Sequence, residues 1–188
     1  MFGKEDFAIV LDFLPHGKAG EAKQEPIVQC MGESFFTLLE CVTKAGVQVE
    51  LEERVYIGRE QREKIDHIRG RVLFNDLTST SQRQLDSTVR SVVKNREKEF
   101  VDFTNRAGAI NIRSHTLELL PSVGKKHLKD ILDERSKKPF ESFEDIQKRV
   151  AHLGSPSEIF VQRILAELQG GEKYFLFVKM PPREDRRW

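Results

Sequence analysis

Leu119-Leu-Pro-Ser-Val-Gly124 runs straight into Lys125 and Lys126, and the fold of the second half of the chain hangs on that stretch. His115 to Leu120 reads as a short helix capped by Ser114. Gly124 to Ser136 reads as the next, with Leu128, Ile131 and Leu132 on one face. A tight turn lies between them. Pro121 stiffens it, Ser122 completes it, and Val123 supplies an apolar anchor. Gly124 leaves the backbone open to close approach. A helix start aims unpaired N–H groups outward along the positive end of the helix dipole, which suits an anion. Lys125 and Lys126 add charge at the same rim, with His127 beside them. Contacts of this kind hold a sugar-phosphate backbone without reading base sequence.

The same arrangement recurs more weakly downstream. Val150-Ala-His-Leu-Gly154 leads through Ser155 to Glu158 into a final helix, and His152, Gly154, Ser155 and Ser157 are its candidate contacts. Ser142-Phe-Glu-Asp145 is a capping box that opens Phe143 to Val150. Ser155-Pro-Ser-Glu158 is a second box, with proline at the first helical position, opening Pro156 to Leu168. Gly170-Gly171 stops that helix. Upstream, Gln82 to Phe103 reads as one long helix with Leu85, Val89, Val92 and Val93 on its apolar face. Arg106-Ala-Gly108 ends it, with glycine where a helix end favours positive φ.

The first half reads differently. Phe7 to Leu14, Pro26 to Met31, Ser34 to Thr43 and Glu53 to Ile57 are apolar runs rich in β-formers, separated by glycine-containing turns. Gln61 to Leu73 predicts a helical turn followed by a strand over Ile68 to Phe74. Short strands at this spacing predict a small antiparallel barrel or sandwich. Lys173 to Lys179 is a late strand with no strand neighbour in the helical half, so it is expected to return to the first domain. Phe35 or Phe36 and Tyr56, with Arg54, Arg59, Arg62 and Lys64, are the barrel residues that could meet a single strand.

Composition bounds the rest. The 188 residues, 38% of them hydrophobic, allow one domain or two small ones. The formal charge is +1, but residues 1–75 carry ten Lys and Arg against thirteen Asp and Glu, and residues 101–188 sixteen against thirteen. That asymmetry points faintly to nucleic acid. Cys30 and Cys41 sit in no CxxC pattern, which argues against zinc. No apolar run is long enough for a membrane span, and no signal-peptide pattern opens the chain, so a cytoplasmic protein is expected. No Walker A loop, dinucleotide fingerprint or HExxH helix is present. Asp12 with His16 makes no triad, and Glu50, Glu52 and Glu53 read as a solvated loop. His67, His115, His127 and His152 lack ligand spacing.

Two resemblances bear on these residues. Asn111-Ile-Arg-Ser, Leu119 to Lys125, Ile131, Arg135 and Pro139-Phe-Glu-Ser-Phe-Glu-Asp-Ile146 resemble the tandem helix-hairpin-helix module of bacterial competence DNA receptors. That pattern has glycine where this chain has Ser122 and His152, and both hairpins keep the later glycine, Gly124 and Gly154. The whole chain resembles an archaeal group of uncharacterised proteins described as predicted RNA-binding. Glu53-Arg-Val-Tyr-Ile-Gly58, Lys64-Ile-Asp66, Asn75-Asp-Leu-Thr-Ser79 and the Pro139 segment carry that likeness. It implies an OB-like barrel with the hairpin module behind it.

The expectation is therefore an α+β protein. An OB-like antiparallel β-barrel covers residues 1–76, completed by the strand at 173–179. An all-α domain covers 80–170, with tandem helix-hairpin-helix over 111–168, and a tail follows at 180–188. The expected function is non-catalytic nucleic-acid binding, RNA over DNA, through Pro121 to Lys126 and His152 to Ser157. With few phosphates gripped, the helical part alone should bind with Kd on the order of 10⁻⁴ to 10⁻⁶ M, weakening as salt rises. No cofactor, metal, membrane or small-molecule substrate is expected. The alternative is a protein-interaction scaffold docking in the translation or transcription machinery.

Overall fold

Five runs of β-formers build one antiparallel sheet in the computed structural model, which describes residues 4–20 and 24–179. They are β1 (Phe7–Leu14), β2 (Ile27–Gly32), β3 (Leu38–Thr43), β4 (Arg54–Tyr56) and β5 (Ile65–Arg71), in the order β4-β1-β2-β3-β5. β2 and β3 are buried at every position. Register shifts between Val10 and Asp12 on β1, and twice along the β3–β5 pairing, place extra residues in the ladder. Such bulges bend and twist strands, and the sheet is curled into a half-barrel. Ala8, Val10, Val28, Leu39, Val55 and Ile65 fill it, with Cys30 and Cys41 among them, their sulfurs 3.8 Å apart.

The chain divides into two compact units, residues 1–88 with 166–188, and residues 89–165. In the first, a buried polar network ties the sheet to the start of α1 (Ser79–Asn95). Gln29 is fully buried. Its amide donates to Glu40 Oε1 at 2.9 Å and to the Asp76 carbonyl at 3.1 Å, while the Thr78 N–H and the Ser81 hydroxyl donate to its oxygen. Thr78 Oγ1 accepts the Ser81 N–H at 3.0 Å and donates to Asp12 Oδ2. Thr78 thus serves as the N-cap of α1.

Several expectations are corrected. No helical turn precedes β5. Both isoleucines lie in β5, Ile65 buried and Ile68 exposed, and register shifts against β3 break the strict alternation between them. A 3₁₀ turn over Phe74–Asp76 occupies the end of the strand expected there. The third run does not begin at Ser34. Phe36 is buried with φ 51°, and β3 starts only at Leu38. The late strand at 173–179 does not form. The Glu167 carboxylate accepts the N–H groups of Leu176, Phe177 and Val178 at 2.8–3.0 Å, and donors gathered around one carboxylate are lost to a ladder. The segment still reaches the sheet unit, where the Lys179 N–H donates to the Phe35 carbonyl at 3.0 Å. Without that strand the sheet stays open between its edges, β4 and β5. The tail expected at 180–188 lies outside the described residues.

The long helix is two helices, because Arg96 leaves helical geometry at φ −108°, ψ 24°. The second, α2 (Glu97–Arg106), ends without a positive-φ glycine at Gly108. Arg135 does the capping instead, donating to the carbonyls of Thr104 and Ala107 at 2.8 Å each. A two-stranded hairpin, β6 (Ala109–Asn111) with β7 (Ser114–His115), follows, then a 3₁₀ turn over Thr116–Leu119, where an α-helix capped by Ser114 was expected. Its cap is His115, whose Nδ1 accepts the Leu117 N–H at 3.1 Å. Helices α3 (Lys125–Lys137), α4 (Phe143–Arg149) and α5 (Pro156–Gln169) complete the five α-helices among the described residues. Ser142 caps α4, accepting the Asp145 N–H at 3.0 Å, but the expected box stays half-formed, since the Asp145 carboxylate accepts the Glu141 N–H at 3.1 Å. The box at Ser155 does not close, since Glu158 is drawn into an ion pair with Arg90.

Candidate nucleic-acid interface

The turn at Pro121 to Gly124 connects the 3₁₀ turn to α3, and the turn at Ala151 to Ser155 connects α4 to α5. Each carries a non-glycine residue in the left-handed region, Ser122 at φ 66° and His152 at φ 62°. Each then buries an aliphatic side chain, Val123 and Leu153. Those two side chains line one small apolar cavity with Leu117, Ile131, Ile146 and Ile159, so both turns are anchored in a common core. Phe160 stands in that core, with its ring centroid 4.9 Å from Phe100 and 5.8 Å from Phe143. The glycines differ. Gly154 has φ 84°, whereas Gly124 has φ −86° and ψ 180° to within a few degrees, a conformation open to any residue.

Gly124 is the N-cap of α3 and provides no side-chain cap for its first turn. A Cβ at Gly124 would meet nothing within 4 Å. Neither packing nor backbone conformation therefore demands glycine there. Around this helix start the cations are unequal. Lys125 Nζ is held by Glu118 Oε1 at 2.6 Å and donates to the Arg113 carbonyl at 3.4 Å. Lys125 in turn holds the Glu118 carboxyl below its usual range, helped by the His115 N–H that the same carboxylate accepts. Lys126 is exposed and has no ion-pair partner among the described residues. His127 Nδ1 lies 2.9 Å from the Ser122 carbonyl oxygen and closes the turn.

Two neighbours of this rim escaped the sequence reading. Lys129 lies one turn along α3 from Lys126 and is exposed. Ile112 stands at the tip of the β6–β7 hairpin, fully exposed, beside Arg113. The Asn111 side chain accepts the Arg113 N–H at 2.8 Å and fixes that tip. The signal for it was the isolated isoleucine between Asn111 and Arg113, which a capped helix could not explain.

The second turn is poorer in charge. Ser155 Oγ lies 3.0 Å from Ser157 Oγ, and the nearby Glu158 is engaged by Arg90. No Lys or Arg lies between Ala151 and Glu158. Residues 89–165 hold fifteen Lys and Arg against eleven Asp and Glu, but several arginines are internal caps. Arg163 is buried and donates to the Leu119 carbonyl at 3.0 Å, and Arg149 donates to the carbonyls of Glu134 and Lys138 at the end of α3. In the sheet unit, Arg54 pairs with Glu33 and Lys64 with Glu53. Phe36 is core, so of the candidate aromatics Phe35 and Tyr56 are left at the surface, both half-buried. Among the described residues no helix is long and apolar enough to cross a membrane.

These features define a mixed α+β protein: a curled five-stranded antiparallel sheet, five helices, and a paired set of helix-connecting turns. The chain belongs to the family described as "Protein of unknown function (DUF655)", which it matches over residues 4–179. An uncharacterized protein of Methanocaldococcus jannaschii is 45% identical over 177 residues, 93% of this chain and 80% of that protein. The crystal structure of a family member from Archaeoglobus fulgidus matches with a TM-score of 0.84 at 42% identity, covering 93% of this chain and all of the other.

Proposed function

We propose that this is a non-catalytic nucleic-acid-binding protein that grips a phosphate backbone through two helix-hairpin-helix turns, with RNA preferred over DNA. The observation that carries this is the equivalence of the turns. Ser122-Val-Gly124 and His152-Leu-Gly154 share a left-handed first residue, a buried second one and a glycine before a helix start. The first hairpin is the stronger grip. Its helix start is uncapped, Gly124 leaves room for a phosphate oxygen, and Lys126 supplies unshared charge. Arg113 and Lys129 widen the rim, and Ile112 gives it an apolar tip suited to the face of an unstacked base. The second hairpin contributes backbone donors with little charge. The sheet order β4-β1-β2-β3-β5, open between β4 and β5, supports reading the half-barrel as OB-like, and the RNA preference rests on that reading.

The paucity of cations at the second turn favours one other reading, a scaffold that docks on a protein. Fluorescence anisotropy separates the two. The full chain should bind single-stranded and duplex RNA at low salt, lose affinity as salt rises, and lose most of it with Lys126→Glu. Lack of binding to RNA and to duplex DNA at low salt would overturn the phosphate grip and leave the docking reading.

A further inference from the structure

Between the open edges β4 and β5 lies a groove of about 620 Å³, within the size range of small-ligand sites. Part of its lining is apolar and aromatic: Leu39, Ile68, and Tyr56, whose ring packs edge-on against Phe7 at 5.2 Å. Gly58 is what lets Tyr56 lie there, since a Cβ at that position would stand 2.4 Å from the tyrosine oxygen. Basic groups edge the rest: Lys4, Arg59, Arg62, Arg71 and Lys179. They outnumber the acids Glu5, Asp6 and Glu60, and Glu5 is already engaged by the N–H groups of Ser34, Phe35 and Thr37 at 2.8–3.2 Å. Arg62 ties the rim down, donating to the carbonyls of Gly58 and Asp66 at 2.9 and 3.2 Å.

The second observation is Thr37. It is 5% exposed, it forms part of the groove wall, and its hydroxyl, sealed from solvent, has no hydrogen-bond partner among the described residues. An enclosed hydroxyl without a partner is costly, and a turn of the Thr37 side chain to another rotamer would let a ligand in the groove supply one.

We propose that this groove binds one nucleoside monophosphate unit, with the phosphate among Lys4, Arg59 and Arg71, the base against Ile68 and Tyr56, and Thr37 donating a hydrogen bond. The unit is either a free nucleotide or an unpaired residue of a strand. Cations in excess of acids, together with a tyrosine ring and aliphatic side chains, suit that pairing of phosphate and base. The site uses none of the hairpin residues.

Calorimetric titration of the full chain with AMP, adenosine, inorganic phosphate and an adenosine tetranucleotide tests it. AMP or the tetranucleotide should bind saturably with Kd below about 1 mM, and adenosine and phosphate should each bind more weakly. Tighter binding of the tetranucleotide would identify the strand as source, and tighter binding of AMP the free nucleotide. Arg59→Glu, at an exposed position, should weaken binding at least about tenfold. Thr37→Val should weaken it about fivefold without lowering the melting temperature. Duplex RNA, titrated in parallel, should respond to Lys126→Glu and AMP to Arg59→Glu, so either site can fail alone. No saturable binding of AMP or the tetranucleotide, or binding that neither variant weakens, would overturn the proposal.

Discussion

Ser122 and His152 hold the same backbone conformation, φ 66° and 62°, each one residue before a buried aliphatic side chain and two before a glycine. Left-handed backbone costs a residue with a Cβ about 1–2 kcal/mol, and the two turns bear that cost alike. Replacing either residue by glycine removes the clash while loosening the unfolded chain. Ser122→Gly and His152→Gly should each raise stability by roughly 0.5–1 kcal/mol, measured by urea unfolding. Ser122→Val should destabilise, because a β-branched side chain tolerates positive φ least. A loss of stability in both glycine variants would show that the side chains hold the turns more than the backbone strains them.

Gly124 separates structure from function. Its φ of −86° and the empty space around it let alanine enter without strain. Gly124→Ala should leave stability within about 0.5 kcal/mol of the parent. It should weaken RNA binding severalfold, because the methyl group occupies the space a phosphate oxygen would take. Thermal melts and anisotropy on one preparation check both halves.

Glu118 restrains the best-placed cation after Lys126. Its carboxylate takes Lys125 at 2.6 Å, so Lys125 meets a phosphate only by giving up that contact. Glu118→Gln keeps an acceptor for the His115 N–H while releasing Lys125. Affinity for RNA at low salt should rise, and the plot of log affinity against log salt should steepen by about one unit. An unchanged slope would remove Lys125 from the interface.

His115 makes the same region sensitive to pH. Its Nδ1 caps the 3₁₀ turn by accepting the Leu117 N–H, a role open only to the neutral ring. Desolvation first, then the positive charge of Arg135, lowers its pKa below the usual 6.5 despite Glu118. The folded pKa is depressed, so the stabilisation is fully present above 6.5 and is lost as pH falls through the lower folded value. The imidazole resonances should titrate below 6.5 in NMR spectra. His115→Asn, which keeps an acceptor, should flatten the acid side of the stability profile.

What could be read from residues alone was local. Strands β1 and β2 and helices α3, α4 and α5 followed from β-former runs, apolar periodicity and the Ser142 cap. The failures came from partners distant in sequence. Arg135 replaces a glycine cap at Gly108, Glu167 gathers the backbone of 176–178 that looked like a strand, and Arg90 withdraws Glu158 from its box. Each is a charged side chain meeting a group many residues away, which no window of sequence displays. At the candidate interface, Gly124 and Lys126 were visible in the motif itself. The restraint of Lys125 by Glu118 and the exposure of Ile112 were not, since both depend on how the β6–β7 hairpin folds back to α3. The groove between β4 and β5 was legible only as scattered candidates, Tyr56, Arg59 and Arg62, until the sheet curled around them.

The two cysteines give the sheet a built-in reporter. Cys30 and Cys41 face one another across β2 and β3 with no exposed surface. The hydrogen bond to Cys41 and then burial push the Cys30 thiol well above its usual range, so it stays protonated and inert. Thiol reagents can modify either sulfur only when the centre of the sheet parts. The labelling rate of the unaltered protein therefore times that opening event, with no probe to be engineered.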